Sequence, residues 1–307
     1  MPGVAFLALF FLYPVASLLL LSLEDPQASG VSLGAYQRLF TTDVYLRVLG
    51  ITFRIAAQTA IFSLLIGYPL AYWISGLPDR LRGKTLLLVV IPFWTSYLVK
   101  TFAWMIMLGR NGVVNNALLG VGVIGEPLSL INNEFGVLVG MVHTMVPLAV
   151  MTMLPVMIGV DRRLVAAAQT LGASPARAFW LVYYKLSFPG VAAAGLLVFI
   201  SSLGFFIVPA FLGGRQQTML AQLIITQISE LLNWSFAGAL AMMMLVTALL
   251  AVALYDRAFG MSSLTGGAAQ TQADGVWRRL GLKGLEIVAA ASSTLADGFR
   301  ALLGRRL

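Results

Sequence analysis

Six apolar runs alternate with polar segments along the chain, at residues 4–21, 55–74, 85–108, 135–160, 191–213 and 236–255. A helix of about 20 residues crosses the roughly 30 Å hydrocarbon core of a bilayer, so each run predicts a transmembrane helix. The predicted fold is all-α and polytopic, with six spans. The first run lacks a basic leading region and a small-x-small cleavage site, and it reads as a retained helix. Between the runs lie a polar connection at 24–54 with a surface helix at 36–40, and a short basic loop at 76–84. A long loop at 109–134, a patterned segment at 161–189 and a partly amphipathic connection at 215–235 follow. Residues 1–260 form the predicted membrane unit and 261–307 a soluble tail. Within the tail, 262–275 reads as linker and 284–300 as a weakly amphipathic helix.

Composition agrees with a membrane protein: 59% of residues are hydrophobic and 10% charged, against about 25% charged in a soluble domain. With no cysteine, neither a disulfide framework nor a thiolate metal site is available. The net charge of +8 raises the question of nucleic acid. Its distribution points to loops of one membrane face instead, and no nucleic-acid partner is expected. With 161–189 placed inside the cell, the inside holds Arg80, Arg82, Lys84, Arg162, Arg163, Arg177, Lys185 and the seven Lys/Arg from residue 256 on. The outside holds Arg38, Arg47, Arg54, Arg110 and Arg215. Fourteen against five is a positive-inside bias, and six spans then put both termini in the cytoplasm.

The segment 162–190 is the best-patterned connection. An alanine-rich helix at 164–171 runs into Gly172, which can take φ > 0 and so turn a corner. Ser174 offers an N-cap and Pro175 the first position of a second helix, 175–184. That helix carries Phe179, Val182, Tyr183 and Leu186 at helical spacing. Ser187-Phe188-Pro189-Gly190 is expected to stop it. Pattern alone leaves two readings open, a knob that plugs into a partner protein or an amphipathic loop at the membrane surface.

Ala166-Ala167-Ala168, then Gly172, then Leu186-Ser187-Phe188-Pro189-Gly190 resemble the EAA loop of binding-protein-dependent ABC importer permeases. Gly172 and Pro189 match that pattern, as do Ala167 and Ala168, whereas Ala166 stands where the family has glutamate and Lys185 where it has an earlier proline. The resemblance implies that this loop, between the fourth and fifth spans, is the coupling helix that docks on a cytoplasmic ATPase. Ala166, Ala167, Ala168, Gly172, Ala173, Ser174, Pro175 and Phe179 would be its coupling residues.

No catalytic constellation is visible. There is no G-x-x-x-x-G-K-[ST] phosphate loop, no G-x-S-x-G elbow, and the single histidine, His143, reads as a packing residue of the fourth span. The ionisable group deepest in a span besides His143 is Lys100. It either faces protein, water or a lumen, or snorkels to the outer interface about two turns away. Trp94, Thr95, Tyr97 and Trp104 flank it. These aromatics are open to two readings, a cation site or an interfacial belt. Pro92, Pro147, Pro155 and Pro209 lie inside spans, where kinks suit a gated pathway.

The run Pro92-Phe93-Trp94-Thr95-Ser96-Tyr97-Leu98-Val99-Lys100-Thr101-Phe102-Ala103-Trp104 is similar to the third-span region of spermidine/putrescine permease subunits, and the stretches 67–73, 108–116 and 209–214 resemble further parts of them. The similarity covers roughly 11–255 and implies one half of an importer pore. It implies a polyamine as the favoured cargo, with iron, thiamine or an organic acid as alternatives. It also implies a second permease subunit as a heterodimer partner, two copies of a cytoplasmic ATPase subunit that hold ATP and Mg, and an external solute-binding protein. The chain itself would bind no cofactor and would sit in the bacterial inner membrane. For such a cation, Trp94, Thr95, Tyr97 and Trp104 are candidate path residues, with Glu126, Glu134 and Glu230 at the outer mouth. Lys100 is then expected to point away from the path. The rival class is a secondary transporter, which would want buried acidic groups and an internal repeat; the six apolar runs contain no Asp or Glu, and no clear repeat is visible.

Overall fold

A computed structural model describes residues 6, 8–24, 30 and 32–259. The tail readings at 262–275 and 284–300 and the domain 261–307 lie outside the described residues. Among the described residues there are helices and connections and no β-strand, so the fold is all-α. In chain order, a π-turn Ala8–Leu12 leads into α1 (Tyr13–Ser22), followed by α2 (Gly34–Thr41), α3 (Asp43–Ser75), α4 (Asp79–Trp94), α5 (Tyr97–Leu108) and α6 (Val113–Gly120). Next come α7 (Glu134–Ile158), α8 (Arg162–Thr170) and α9 (Pro175–Ala178), and a π-turn Phe179–Tyr183 that leads into α10 (Tyr184–Leu203). Last are α11 (Ile207–Leu212), a 3₁₀ turn Arg215–Gln217, α12 (Leu220–Ser229) and α13 (Trp234–Phe259).

Among the described residues, four helical stretches are long and apolar enough to cross a membrane: Asp43–Ser75, Glu134–Ile158, Pro175–Leu203 and Trp234–Arg257. The broken pair α4 and α5 supplies a fifth if it is counted as one span. The α7 and α13 spans match the expected runs within a few residues, while three other readings need correction. The polar connection 24–54 is helical from Asp43 on, so α3 has 33 residues and is about 50 Å long. The third span, expected at 85–108 with interruptions at Pro92 and Lys100, begins at Asp79 and breaks at Thr95-Ser96, while the helix runs on through Lys100. The fifth, expected at 191–213, begins at Tyr184 and ends at Leu203. Pro209 explains that end, because its ring would clash with the carbonyl of Phe205 in a continuous helix. It sits instead in the first turn of α11, where its missing N–H costs nothing.

The chain forms two compact units. The first holds the described residues up to 62, then 93–145 and 198–251. Its core has two clusters, one of Leu39, Tyr45, Val48, Leu220, Phe236 and Leu240, the other of Ile55, Val137, Met141, Val208, Leu212 and Met219. Polar side chains close the helix ends between them. Thr52 donates to the Val48 carbonyl and accepts from the Leu220 amide, both at 2.8 Å. That bond satisfies an orphan donor at the start of α12. Buried Asn115 donates to the carbonyls of Gly109 and Leu128 and accepts from the Leu128 amide, which staples the connection between α5 and α7.

The second unit holds 63–92, 146–197 and 252–259. It packs the latter half of α3 against α7 and α10 and carries the patterned loop. Gly190 lies inside α10 and stops nothing. A Cβ there would lie 2.9 Å from Val156 Cβ, so the glycine permits close approach of α10 to α7. Pro189 likewise lies within α10. A proline kink is tolerated where the freed carbonyl finds a partner inside a helix bundle.

Candidate functional site: the corner between α7 and α10

The corner is built by local rules. Asp161 caps α8 by accepting from the Arg163 amide at 2.9 Å. At the other end of α8, the Ala173 amide donates to the Ala168 carbonyl and the Gly172 amide to the Gln169 carbonyl, each at 3.0 Å. These paired bonds are the Schellman arrangement. Gly172 has φ +90°, a conformation that costs a residue with a Cβ. Ser174 caps α9 by accepting from the Arg177 amide, with Pro175 in the first turn. The expected second helix, 175–184, is neither a single α-helix nor stopped at 187–190. It passes through the π-turn and continues as α10.

Exposure sorts the eight candidate residues. Ala166, Ala167, Gly172 and Pro175 are exposed, and Ala168, Ala173 and Ser174 are half-buried. Ala168, Gly172 and Ala173, with Leu171, Arg177 and Ala178, line a shallow groove of about 300 Å³. Phe179 does not share this outward face. Its ring packs on Tyr72 at 5.4 Å and Tyr183 at 5.9 Å, so it anchors the corner to α3. Leu171, which is not one of the eight candidates, is 89% exposed directly before the corner glycine.

The candidate path residues belong to the first unit and take different roles. Trp94 is 80% exposed, and Thr95 is exposed in the break between α4 and α5. The Tyr97 ring packs edge-on to Phe205 at 5.4 Å. Lys100, 7% exposed, sets its Nζ 4.6 Å from the centroid of the same ring. The lysine is thus held within the protein by a cation–π contact. Trp104 packs edge-on to His143 at 5.5 Å. Glu134 pairs with Arg54 at 2.7 Å, while Glu126 and Glu230 are exposed. No group of three or more His, Asp or Glu is placed to hold a metal among the described residues.

The family model of the "binding-protein-dependent transport system inner membrane component" matches residues 28–258. The chain belongs to this family. The inner membrane component described here is 31% identical over 228 residues to the spermidine/putrescine transport system permease protein PotB of Haemophilus influenzae, covering 74% of this chain and 79% of that one. To PotB of Escherichia coli K12 it is 30% identical over 227 residues, covering 74% and 82%. Among solved structures, its fold is like that of a chain in a bacterial alginate ABC transporter in complex with alginate pentasaccharide-bound periplasmic protein. There the TM-score is 0.65 at 17% identity, with 85% of this chain and 91% of that one covered. The family member is therefore a multi-pass permease subunit of an ABC importer.

Proposed function

We propose that this permease subunit passes a small organic cation, a polyamine such as spermidine or putrescine, into the cytoplasm. The observation that carries the reading is the identity of about 30% to polyamine permease subunits, spread over 74% of the chain. In this reading the membrane unit, 1–260, has six spans with both termini cytoplasmic, and 261–307 is a cytoplasmic tail. A second, different permease subunit completes the pore. An external binding protein delivers cargo, and two ATPase subunits outside this chain hold ATP and Mg. The corner at Ala166, Ala167, Ala168, Gly172, Ala173, Ser174 and Pro175 docks on the ATPase, with Phe179 anchoring it from behind. ATP-driven closure of the ATPases moves the corner, and the spans switch the path from inward- to outward-facing. Trp94, Thr95, Tyr97 and Trp104 line the path, and Glu126, Glu134 and Glu230 lie toward its outer mouth.

Affinity purification of the tagged subunit, followed by reconstitution with its binding protein, tests this. The purified complex is expected to contain a second permease and an ATPase in two copies, and vesicles are expected to accumulate labelled putrescine with ATP. Purification without any ATPase would support a secondary transporter instead. ATP-dependent uptake of thiamine, iron or an organic acid in place of putrescine would keep the class and overturn the cargo.

A further inference from the structure

The corner is joined through the chain to α7 and α10. α3 has no such link, because after Ser75 the chain turns away into α4. Yet the last turn of α3 meets both halves of the corner at one hydroxyl. Ser75 Oγ donates to the Tyr72 carbonyl at 2.7 Å. A serine hydroxyl has one hydrogen and two lone pairs, so its remaining contacts are acceptances. Arg162 Nη2, from the first residue of α8, donates to it at 3.3 Å. Tyr183 Oη, from the π-turn, lies 3.2 Å away and is left as the other donor. Ser75 and Tyr183 are 6% and 3% exposed. Gly76 completes the arrangement, since a Cβ there would lie 3.0 Å from Arg162 Nη2 and 3.3 Å from Nη1. The guanidinium rests against bare backbone at the C-terminal end of α3, where a cation is favoured by the helix dipole.

Around this point Tyr72 packs edge-on to Phe179 and Tyr183, at 5.4 and 4.9 Å. One turn further along, Tyr68 Oη pairs with Ser187 Oγ at 3.0 Å. Ring packing holds the helices together without fixing their axial register, whereas directional hydrogen bonds fix it. The π-turn sets the phase between α9 and α10, and such turns are frequent at functional sites.

We propose that Ser75, Arg162 and Tyr183 form a joint through which movement of the corner drives α3, a third helix beside the two joined to it by the chain. This rests on the reading of the corner as the ATPase-coupling element. The three are positioning residues, acting on the path through α3. Their signature is the number of cargo molecules moved per ATP hydrolysed, a ratio that mere loss of folded protein leaves unchanged.

The test uses the full complex in vesicles with Ser75→Ala, Tyr183→Phe, the double variant and the conservative Ser75→Thr. Ser75→Ala and Tyr183→Phe are expected to keep basal ATP hydrolysis within about twofold of wild type and to lower putrescine moved per ATP at least about fivefold. The double variant adds little to either single one, and Ser75→Thr stays close to wild type. A wild-type ratio in both single variants overturns the joint, as does a parallel fall of hydrolysis and uptake. If the wild-type complex moves no putrescine, the cargo assignment fails and the joint is read by distance instead. The chain has no cysteine, so spin labels can be placed at Leu171→Cys and Trp73→Cys, both exposed positions. One narrow distance through the ATP cycle is expected in the wild-type background and a broadened one with Ser75→Ala. An equally narrow distance in Ser75→Ala overturns the joint.

Discussion

At the scale of single residues, Gly172 separates backbone strain from packing. A Cβ at this position would meet nothing within 4 Å, so any cost of substitution lies in the backbone at φ +90°. A left-handed conformation costs an ordinary residue about 1–2 kcal/mol, more for a β-branched one, and asparagine least. Gly172→Val is therefore expected to move the corner and abolish most cargo-stimulated ATPase activity while the subunit still assembles. Gly172→Asn keeps most of the stimulation. Wild-type stimulation in Gly172→Val would remove this corner from the coupling mechanism. Ser174 is the milder counterpart, since loss of an N-cap costs about 1 kcal/mol and leaves the Schellman turn in place.

Among elements, the broken pair α4 and α5 carries the strongest consequence for cargo. The break exposes Trp94 and Thr95, and Lys100 spends its charge on Tyr97 within the protein. On the proposed path a positive charge free in the lumen would repel a polyamine, so that reading requires Lys100, which lies over the Tyr97 ring, to face away from the cargo. A cargo ammonium on an aromatic face is worth about 0.5–2 kcal/mol. Uptake of labelled putrescine is therefore expected to fall several-fold in Trp94→Ala. It falls in Tyr97→Ala too, where the ring that also holds Lys100 is lost. Uptake survives in Lys100→Met. The reverse pattern, Lys100 essential and both rings dispensable, would indicate an anionic cargo.

For the whole molecule, the decisive quantity is the charge on each side of the membrane. The segments 76–84 and 161–189 hold seven Lys/Arg, and the segments 24–54, 109–134 and 215–235 together hold five. Basic segments stay on the cytoplasmic side. Reporter fusions after Lys84, Arg163 and Gly260 are expected to report cytoplasm, and fusions after Asp43, Val121 and Gln216 the outside. One reversed interior loop would break the six-span arrangement.

What the sequence by itself determined is what depends on neighbours along the chain. The apolar runs at 55–74, 135–160, 191–213 and 236–255 each overlap one of the four long apolar helices. Asp161, Gly172, Ser174 and Pro175 build the corner, because caps and positive φ are satisfied within a few residues. The alanines with Gly172 and Pro189 carry the family resemblance. Tertiary structure decided where helices continue against local signals. Pro189 and Gly190 read as a stop, yet α10 runs through them because contact with Val156 rewards a bare backbone there. The start of α3 reads as polar connection, yet Arg54 finds Glu134 and Thr52 finds Leu220 across 80 and 168 residues of chain. Phe179 reads as one of the coupling candidates, and only the packing of Tyr72 and Tyr183 turns it inward. The joint at Ser75 was equally out of reach, since a single serine hydroxyl gains its partners from segments 87 and 108 residues away. Local sequence specifies turns and helix propensity, while the partner of a polar group or a bare glycine is chosen by whatever the fold brings within a few ångströms.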